Sequence, residues 1–185
     1  MVRVGDRWVY DTRDELTGYA KASYVEIVTE VSAKETLVNV SLSGNSGSAI
    51  VTYDHDWNCV DNLIWKFKPN DAQGIRLPLA VGKTWRSDFE AKNTQTGTNY
   101  KGSSSSKVVA QESITTPAGT FETFKIERQV RQFNTADPAR FTEIQVVSWY
   151  APQINNIVRR KTVVKFEKRV RTNSSEELAD FTRNL

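Results

Sequence analysis

Asp54-His55-Asp56-Trp57-Asn58-Cys59 gathers the only histidine, the only cysteine and two carboxylates of the chain within six residues. Its Asp-x-Asp-x-Asn start matches the first ligand positions of a calcium loop. The sixth position, where such a loop needs glycine, is Cys59, and the twelfth, where it needs glutamate, is Trp65. A Cys–His nucleophile pair would need thiol and imidazole within hydrogen-bond reach. On an extended strand His55 and Cys59 stand about 13 Å apart, and only a turn would bring them closer. The segment reads first as a polar hairpin turn, and no metal site is expected.

Gly82-Lys83-Thr84 has the ending of a phosphate-binding loop. The position five residues before Gly82 is Leu77 where that loop needs glycine, and Trp85 with a strand pattern follows where a helix N-terminus should meet the phosphate. A nucleotide site is excluded. Arg159, Lys161, Lys165, Arg169 and Arg171 alternate along what reads as one long strand, Ile157 to Arg171. Such a row usually serves solubility or guards a sheet edge. Its functional reading is contact with an anionic or lipid-headgroup surface. Nucleic acid is not an expected partner, because no aromatics interleave with these charges.

The largest constellation is aromatic. Trp8, Trp65, Phe67, Trp85, Phe89, Phe124 and Phe166 recur at alternating positions of successive strand-like runs. Core packing accounts for most of them. A curved sheet without covering helices would leave part of its concave face unfilled, and an apolar trough is a ligand site or an interface. Trp8, Trp65, Phe67, Trp85, Phe124 and Ile126 are the expected lining.

These residues must be positioned by strands. Lys107 to Arg131 holds two runs around Thr116-Pro117-Ala118-Gly119, with Phe124, Ile126 and Val130 on one face of the second. Tyr19 to Val31 alternates, with Tyr24, Glu26, Val28 and Glu30 sharing a face, and Thr36, Val38, Val40 and Leu42 form the inward face of the next run. Leu63, Trp65 and Phe67 share a face of a later one. The tail from Ser174 to Phe181 reads either as a closing strand or as a short helix, since Ser174 and Glu177 fit a capping box.

Val4-Gly5-Asp6-Arg7-Trp8 has a near copy at Val81-Gly82-Lys83-Thr84-Trp85. It suggests two meanders on one plan, about 1–68 and 79–185, within a single β domain over 1–185. The polar segment 69–78 between them is the candidate crossover or lid. About ten or eleven strands and little helix predict an all-β fold: a strongly curved antiparallel sheet, a half-open β-barrel mostly in meander order.

At 185 residues the chain can bury a sizeable core without disulfide or metal. Apolar content of 38% and a mean hydropathy of −0.52 suit a sheet with a wet face. Net charge is +3, too small to signal nucleic acid. No apolar run reaches the length of a membrane span and no signal peptide is present. The chain begins inside a strand pattern, which suggests a leader preceding Met1, and any membrane attachment would come through it.

Several short motifs occur in a characteristic order. They are Gly5-x-x-Trp8-x-Tyr10, Leu79-x-x-Gly82-x-x-Trp85, Pro117-Ala118-Gly119-Thr120-Phe121, Trp149-Tyr150-Ala151-Pro152 with Val158-Arg159, and Glu177-Leu178. In that order the chain resembles the TapB-like family of bacterial envelope domains, similar in turn to the LolA/LolB lipoprotein-carrier fold. The resemblance implies a half-open barrel in the periplasm or cell envelope, and it supplies no catalytic residues. Carriers of that fold plug the barrel mouth with helices, and no helical pattern of that length is present here. The expected role is a non-catalytic module without cofactor, holding an acyl or lipid-like molecule. The alternatives are a module that docks another envelope protein and, third, a cofactor-free enzyme.

Overall fold

Alternation of apolar and polar residues becomes strand wherever it runs unbroken. The computed structural model describes residues 2–184. Its twelve strands are β1 (Arg7–Asp14), β2 (Ala20–Val31), β3 (Glu35–Leu42), β4 (Ser48–Asp54), β5 (Cys59–Asp61), β6 (Trp65–Lys68), β7 (Thr84–Asn93), β8 (Asn99–Thr116), β9 (Gly119–Asn134), β10 (Phe141–Ala151), β11 (Asn156–Phe166) and β12 (Arg169–Thr182). There is no helix among the described residues. Each strand pairs antiparallel with its sequence neighbour, the expected meander order.

The barrel is closed, which corrects the half-open expectation. β12 pairs along the whole of β1, from Arg7 opposite Thr182 to Asp14 opposite Ser174. The tail is therefore a closing strand and not a helix. Pairing satisfies the edge of β1, which would otherwise stay open, and seats Leu178 fully buried against Trp8 and Tyr10. Closure is thin at one seam. β5 joins β4 through Thr52–Asp61 and Tyr53–Cys59, and joins β6 through Asp61–Lys66 alone. Ser48–Val51 of β4 pairs with β3 and has no strand on its other side.

Two strand boundaries differ from the expected ones. The run Ile157 to Arg171 is broken by a two-residue hairpin turn at Glu167-Lys168, with φ of 50° and 63°. This left-handed geometry matches the right-handed twist of the flanking strands and normally advertises itself by Asn or Gly. Here it carries neither. Arg169 and Arg171 consequently lie on β12, apart from Arg159, Lys161 and Lys165 on β11. Leu63 does not continue the face of Trp65 and Phe67; it sits exposed in the β5–β6 turn at φ 71°.

The two Gly-x-x-Trp copies open equivalent strands. Gly5 and Gly82 have φ of 89° and 90°. The Gly5 amide donates to Val28 O at 2.8 Å and the Gly82 amide to Val108 O at 2.9 Å. In return the Val28 and Val108 amides donate to Asp6 O and Lys83 O. Each turn is thus pinned to the following strand, and each throws its tryptophan inward, Trp8 on β1 and Trp85 on β7.

A closed barrel of twelve strands is wider than its own side chains can fill, since about eight strands already give an interior just filled by them. Segment 69–78 fills part of the excess. Its middle, 71–75, is neither crossover nor lid but an irregular plug inside the barrel, while Pro69, Arg76, Leu77 and Pro78 are exposed. Ala72 packs on Phe89, Ala91 and Val130, and Ile75 on Trp85, Val108, Ile126 and Tyr150. The buried Arg128 of β9 ties it down, donating from Nη2 to Gly74 O at 2.7 Å and from Nε to Ser106 Oγ at 3.0 Å. Ser104 Oγ donates to Ala72 O at 2.6 Å. Outward positions carry Glu90, Lys101, Lys107, Glu127 and Arg171, all exposed. That arrangement, charged outside and apolar within, is the reverse of a transmembrane barrel.

Candidate functional site

The plug leaves a cavity of about 430 Å³ between itself and the β1–β4 and β10–β12 walls. Its apolar lining includes Val40, Leu42, Val51, Trp57, Ile75 and Ile157. Leu42 is 48% exposed, so this lining reaches the surface. Deeper in, charged groups face the space: Glu26 from β2, Arg160 from β11, Glu176 from β12, Arg128 from β9 and Asp71 from the plug. Each strand residue among them occupies an inward position of a period-two pattern, in the rows Tyr24-Glu26-Val28, Val158-Arg160 and Ile126-Arg128-Val130.

Arg160 Nη1 pairs with Glu176 Oε1 at 2.9 Å, and Tyr24 Oη donates to Glu176 Oε2 at 2.8 Å. Burial opposes the charge on Arg160, but Glu176 and the surrounding tyrosines outweigh it and hold the guanidinium above its ordinary pKa. Glu26 has no such partner. Burial first, and the Glu176 charge second, push its carboxyl up to about 7, with Arg160 and Asn156 pulling the other way. Asp71 accepts from the Cys59 and Gln73 amides at 3.0 Å each. Burial nonetheless raises it to about 6, with Arg128 opposing. Tyr10, Tyr24 and Tyr53 complete the wall, each raised well above its ordinary pKa chiefly by burial. Tyr10 stacks on Tyr24 at 5.0 Å and Tyr53 meets Trp57 edge-on at 5.3 Å.

None of the six residues expected to line a trough touches this cavity. Trp8 packs on Tyr10, Val28, Val38 and Leu178; Trp85 and Ile126 pack with Phe124 around Ile75; Trp65 and Phe67 pack on Phe89 and its neighbours. They are the filling around and behind the plug. Of the five basic residues, Arg159 is bound to Glu177 and donates to Thr115 O at 3.1 Å, while Lys161, Arg169 and Arg171 are exposed and Lys165 is half-buried. The charges missed from the sequence are the inward ones, Glu26, Arg128, Arg160 and Glu176. For Arg128 the signal was present: a lone charge between Ile126 and Val130 in an otherwise apolar alternating face.

The histidine–cysteine segment is the dock for the plug. Asp54 Oδ1 accepts from the amides of Asp56 and Asn58 at 3.0 and 2.9 Å, and its Oδ2 from Asn70 Nδ2 at 2.8 Å. Asn58 Oδ1 accepts from the Gly74 amide at 2.6 Å. A Cβ on Gly74 would stand 2.2 Å from Asp56 O, so only glycine allows this approach. His55 Nε2 bonds Ala33 O at 2.6 Å and does not reach Cys59. Burial, then the Asp71 charge, pushes the Cys59 thiol up to about 12, which leaves it inert as a nucleophile. No three metal-ligating side chains converge among the described residues. Replacing Asp54 by Ala should cost about 1–3 kcal/mol, since several donors lose one acceptor. Urea unfolding measures it, and a loss below about 0.5 kcal/mol would contradict the docking role.

Comparison with known proteins bears on the fold. Among curated proteins, none matches the chain. Among solved structures, a proposed lipoprotein from Parabacteroides distasonis is similar at 15% identity, with a TM-score of 0.65 over 97% of this chain and 96% of that one. A proposed exported protein with YmcC-like fold from Bacteroides fragilis is similar at 15% identity, with a TM-score of 0.58 over 98% and 97%. The hypothetical lipoprotein YmcC from Escherichia coli is similar at 10% identity, with a TM-score of 0.54 over 98% and 87%. These likenesses establish a shared fold over nearly the whole chain. The resemblance to TapB-like and lipoprotein-carrier domains rests on short motifs alone, whereas residues 87–178, β7 to the middle of β12, match the DUF3108-like family.

Proposed function

We propose that this protein is a non-catalytic extracytoplasmic binding module that holds a small amphiphilic molecule inside the barrel. The observation that carries the reading is the unfilled space of about 430 Å³ in an interior otherwise packed by side chains and plug, with an apolar rim and a charged floor. Cavities of this size with a few converging polar groups are the usual form of small-molecule sites. An envelope setting is supported by the fold shared with proteins described as lipoproteins or exported. An acid–base pair would need a second free carboxylate beside Glu26. Glu176 is committed to Arg160 and Tyr24, which favours binding over catalysis.

Trp57 lines the cavity and reports on it. Titration with 1-octanol should give saturable quenching or enhancement of tryptophan fluorescence, and Trp57→Phe should remove most of that change. Native mass spectrometry of protein purified from cells should show a small-molecule adduct lost on denaturation. A flat titration and a bare mass together would refute the reading. The second reading, a module that docks a partner protein, is favoured by one observation: Ser48–Val51 of β4 offers an open strand edge beside the seam. Crosslinking from that edge in intact envelopes would support it if a single partner is captured there and the cavity binds nothing.

A further inference from the structure

The charges around the cavity do not balance. Glu26, Glu176 and Asp71 face Arg128 and Arg160, a surplus of one carboxyl. Both arginines are spent, Arg160 on Glu176 and Arg128 on Gly74 O and Ser106 Oγ. Asp71 is satisfied by two backbone amides. The group left over is Glu26, which forms no ion pair among the described residues; the Arg160 charge and the Asn156 amide act on it without neutralising it. A ligand carboxylate would enter a site that already holds one carboxyl too many.

A second observation concerns the neighbour of Glu26. Asn156 is 8% exposed and lines the same cavity. Its Oδ1 accepts from the Ile157 amide at 2.7 Å, which fixes the orientation of the side-chain amide. Nδ2 is thereby turned to the interior toward Glu26, whose carboxyl it helps to hold down, but it makes no hydrogen bond of regular geometry there. Buried donors are rarely left unpaired without a reason. Tyr10, Tyr24 and Tyr53 lie near Glu26, and Trp57 lines the same cavity; aromatic rings are the surface that best accommodates an organic cation.

We propose that the barrel recognises an amphiphilic amino alcohol or similar amine, whose ammonium docks on the Glu26 carboxylate and whose adjoining oxygen accepts from Asn156 Nδ2. Its alkyl part lies toward the apolar rim of Val40, Leu42 and Val51. This rests on the binding reading above and specifies its ligand. The groups that face Glu26 are Glu176, Arg160, Asn156, Tyr10, Tyr24 and Tyr53. Glu26, raised to about 7, and Asp71 on the plug across the same cavity, raised to about 6, both lose their charge toward pH 5, so an ammonium should bind best above pH 7 and lose that advantage at pH 5.

The test uses three probes of equal chain length on the intact protein: 2-amino-1-octanol, 1-octanol and octanoate, titrated at pH 8 and pH 5. The amino alcohol should bind about 10–100-fold tighter than 1-octanol at pH 8, as a charged hydrogen bond would give, and octanoate weakest. At pH 5 the preference should fall several-fold. Glu26→Gln, checked for fold by circular dichroism, should erase the preference, read as the ratio of amino-alcohol to 1-octanol affinity within the variant. If 1-octanol or octanoate binds as tightly as the amino alcohol, this inference is overturned and the binding reading stands. If none of the three binds, both fail. The comparison on native protein decides even if the variant does not fold.

Discussion

Replacing Arg128 by Met should destabilise the protein by about 3–5 kcal/mol at pH 8, the usual cost of removing one partner from a buried charged network. Arg128 is 3% exposed, and burial lowers its pKa to about 10 even with Asp71 nearby. Its two hydrogen bonds hold the plug to β8 and β9, so the substitution leaves Gly74 O without its donor in the interior. It also removes the charge that restrains the Asp71 pKa. The loss should therefore shrink at pH 5, where Asp71 can take a proton and become neutral. Asp71→Asn in the Arg128→Met background should recover part of the stability at pH 8 for the same reason. Chemical denaturation of the single and double variants at both pH values measures all of this. A loss of under about 1 kcal/mol, or one identical at both pH values, would show that Arg128 does not latch the plug.

Glu26→Gln should act in the opposite direction. The folded protein holds the Glu26 proton up to a pH of about 7, whereas an unfolded glutamate releases it near the ordinary value of 4.5. Between those values the folded state binds more protons than the unfolded one, so stability falls as pH rises through that window. The accumulated penalty is about 3 kcal/mol above pH 7, from a shift of this size. Glutamine carries no charge and escapes it. The variant should be more stable than the native protein by about that amount at pH 8, equivalent to roughly 6–12 °C in Tm, and by under about 1 kcal/mol at pH 5. Thermal unfolding across pH 5–8 is the measurement. Equal stability of the two proteins at pH 8 would mean that Glu26 is not a strained, partnerless carboxyl, and the docking of an ammonium on it would lose its physical basis.

Both predictions concern residues that lie inside the barrel yet are charged, and this is where sequence and structure part. Alternation alone was enough to give the strands, their meander order and most inward faces. Phe124, Ile126 and Val130 share one face of β9 as expected, and Thr36, Val38 and Val40 point inward from β3. Those features are local: side-chain direction on a strand has period two, and turns declare themselves by Gly, Pro, Asn and Asp. Where a turn lacks those residues, at Glu167-Lys168, the alternation runs on through it, and the basic row reads as one strand although it occupies two.

Closure, the plug and the cavity were not legible because each depends on contacts between distant parts of the chain. Whether β12 finds β1 is decided across sequence separations of 160 to 175 residues and not by the tail's own pattern, which fits strand and capping box alike. The number of strands then fixes the barrel width, and the width leaves room for 71–75 of the polar segment to go inside rather than over the top. Only after the plug is seated does it become clear which inward residues meet packing and which meet space. Trp8, Trp85 and Ile126 meet packing. Glu26, Arg160 and Glu176 meet space. By itself the sequence determined an all-β meander with an apolar inside and a charged outside, because alternation is written residue by residue. The tertiary structure alone decided that three of its charges face one another across a cavity, because a cavity is the volume left when distant elements fail to fill the space between them.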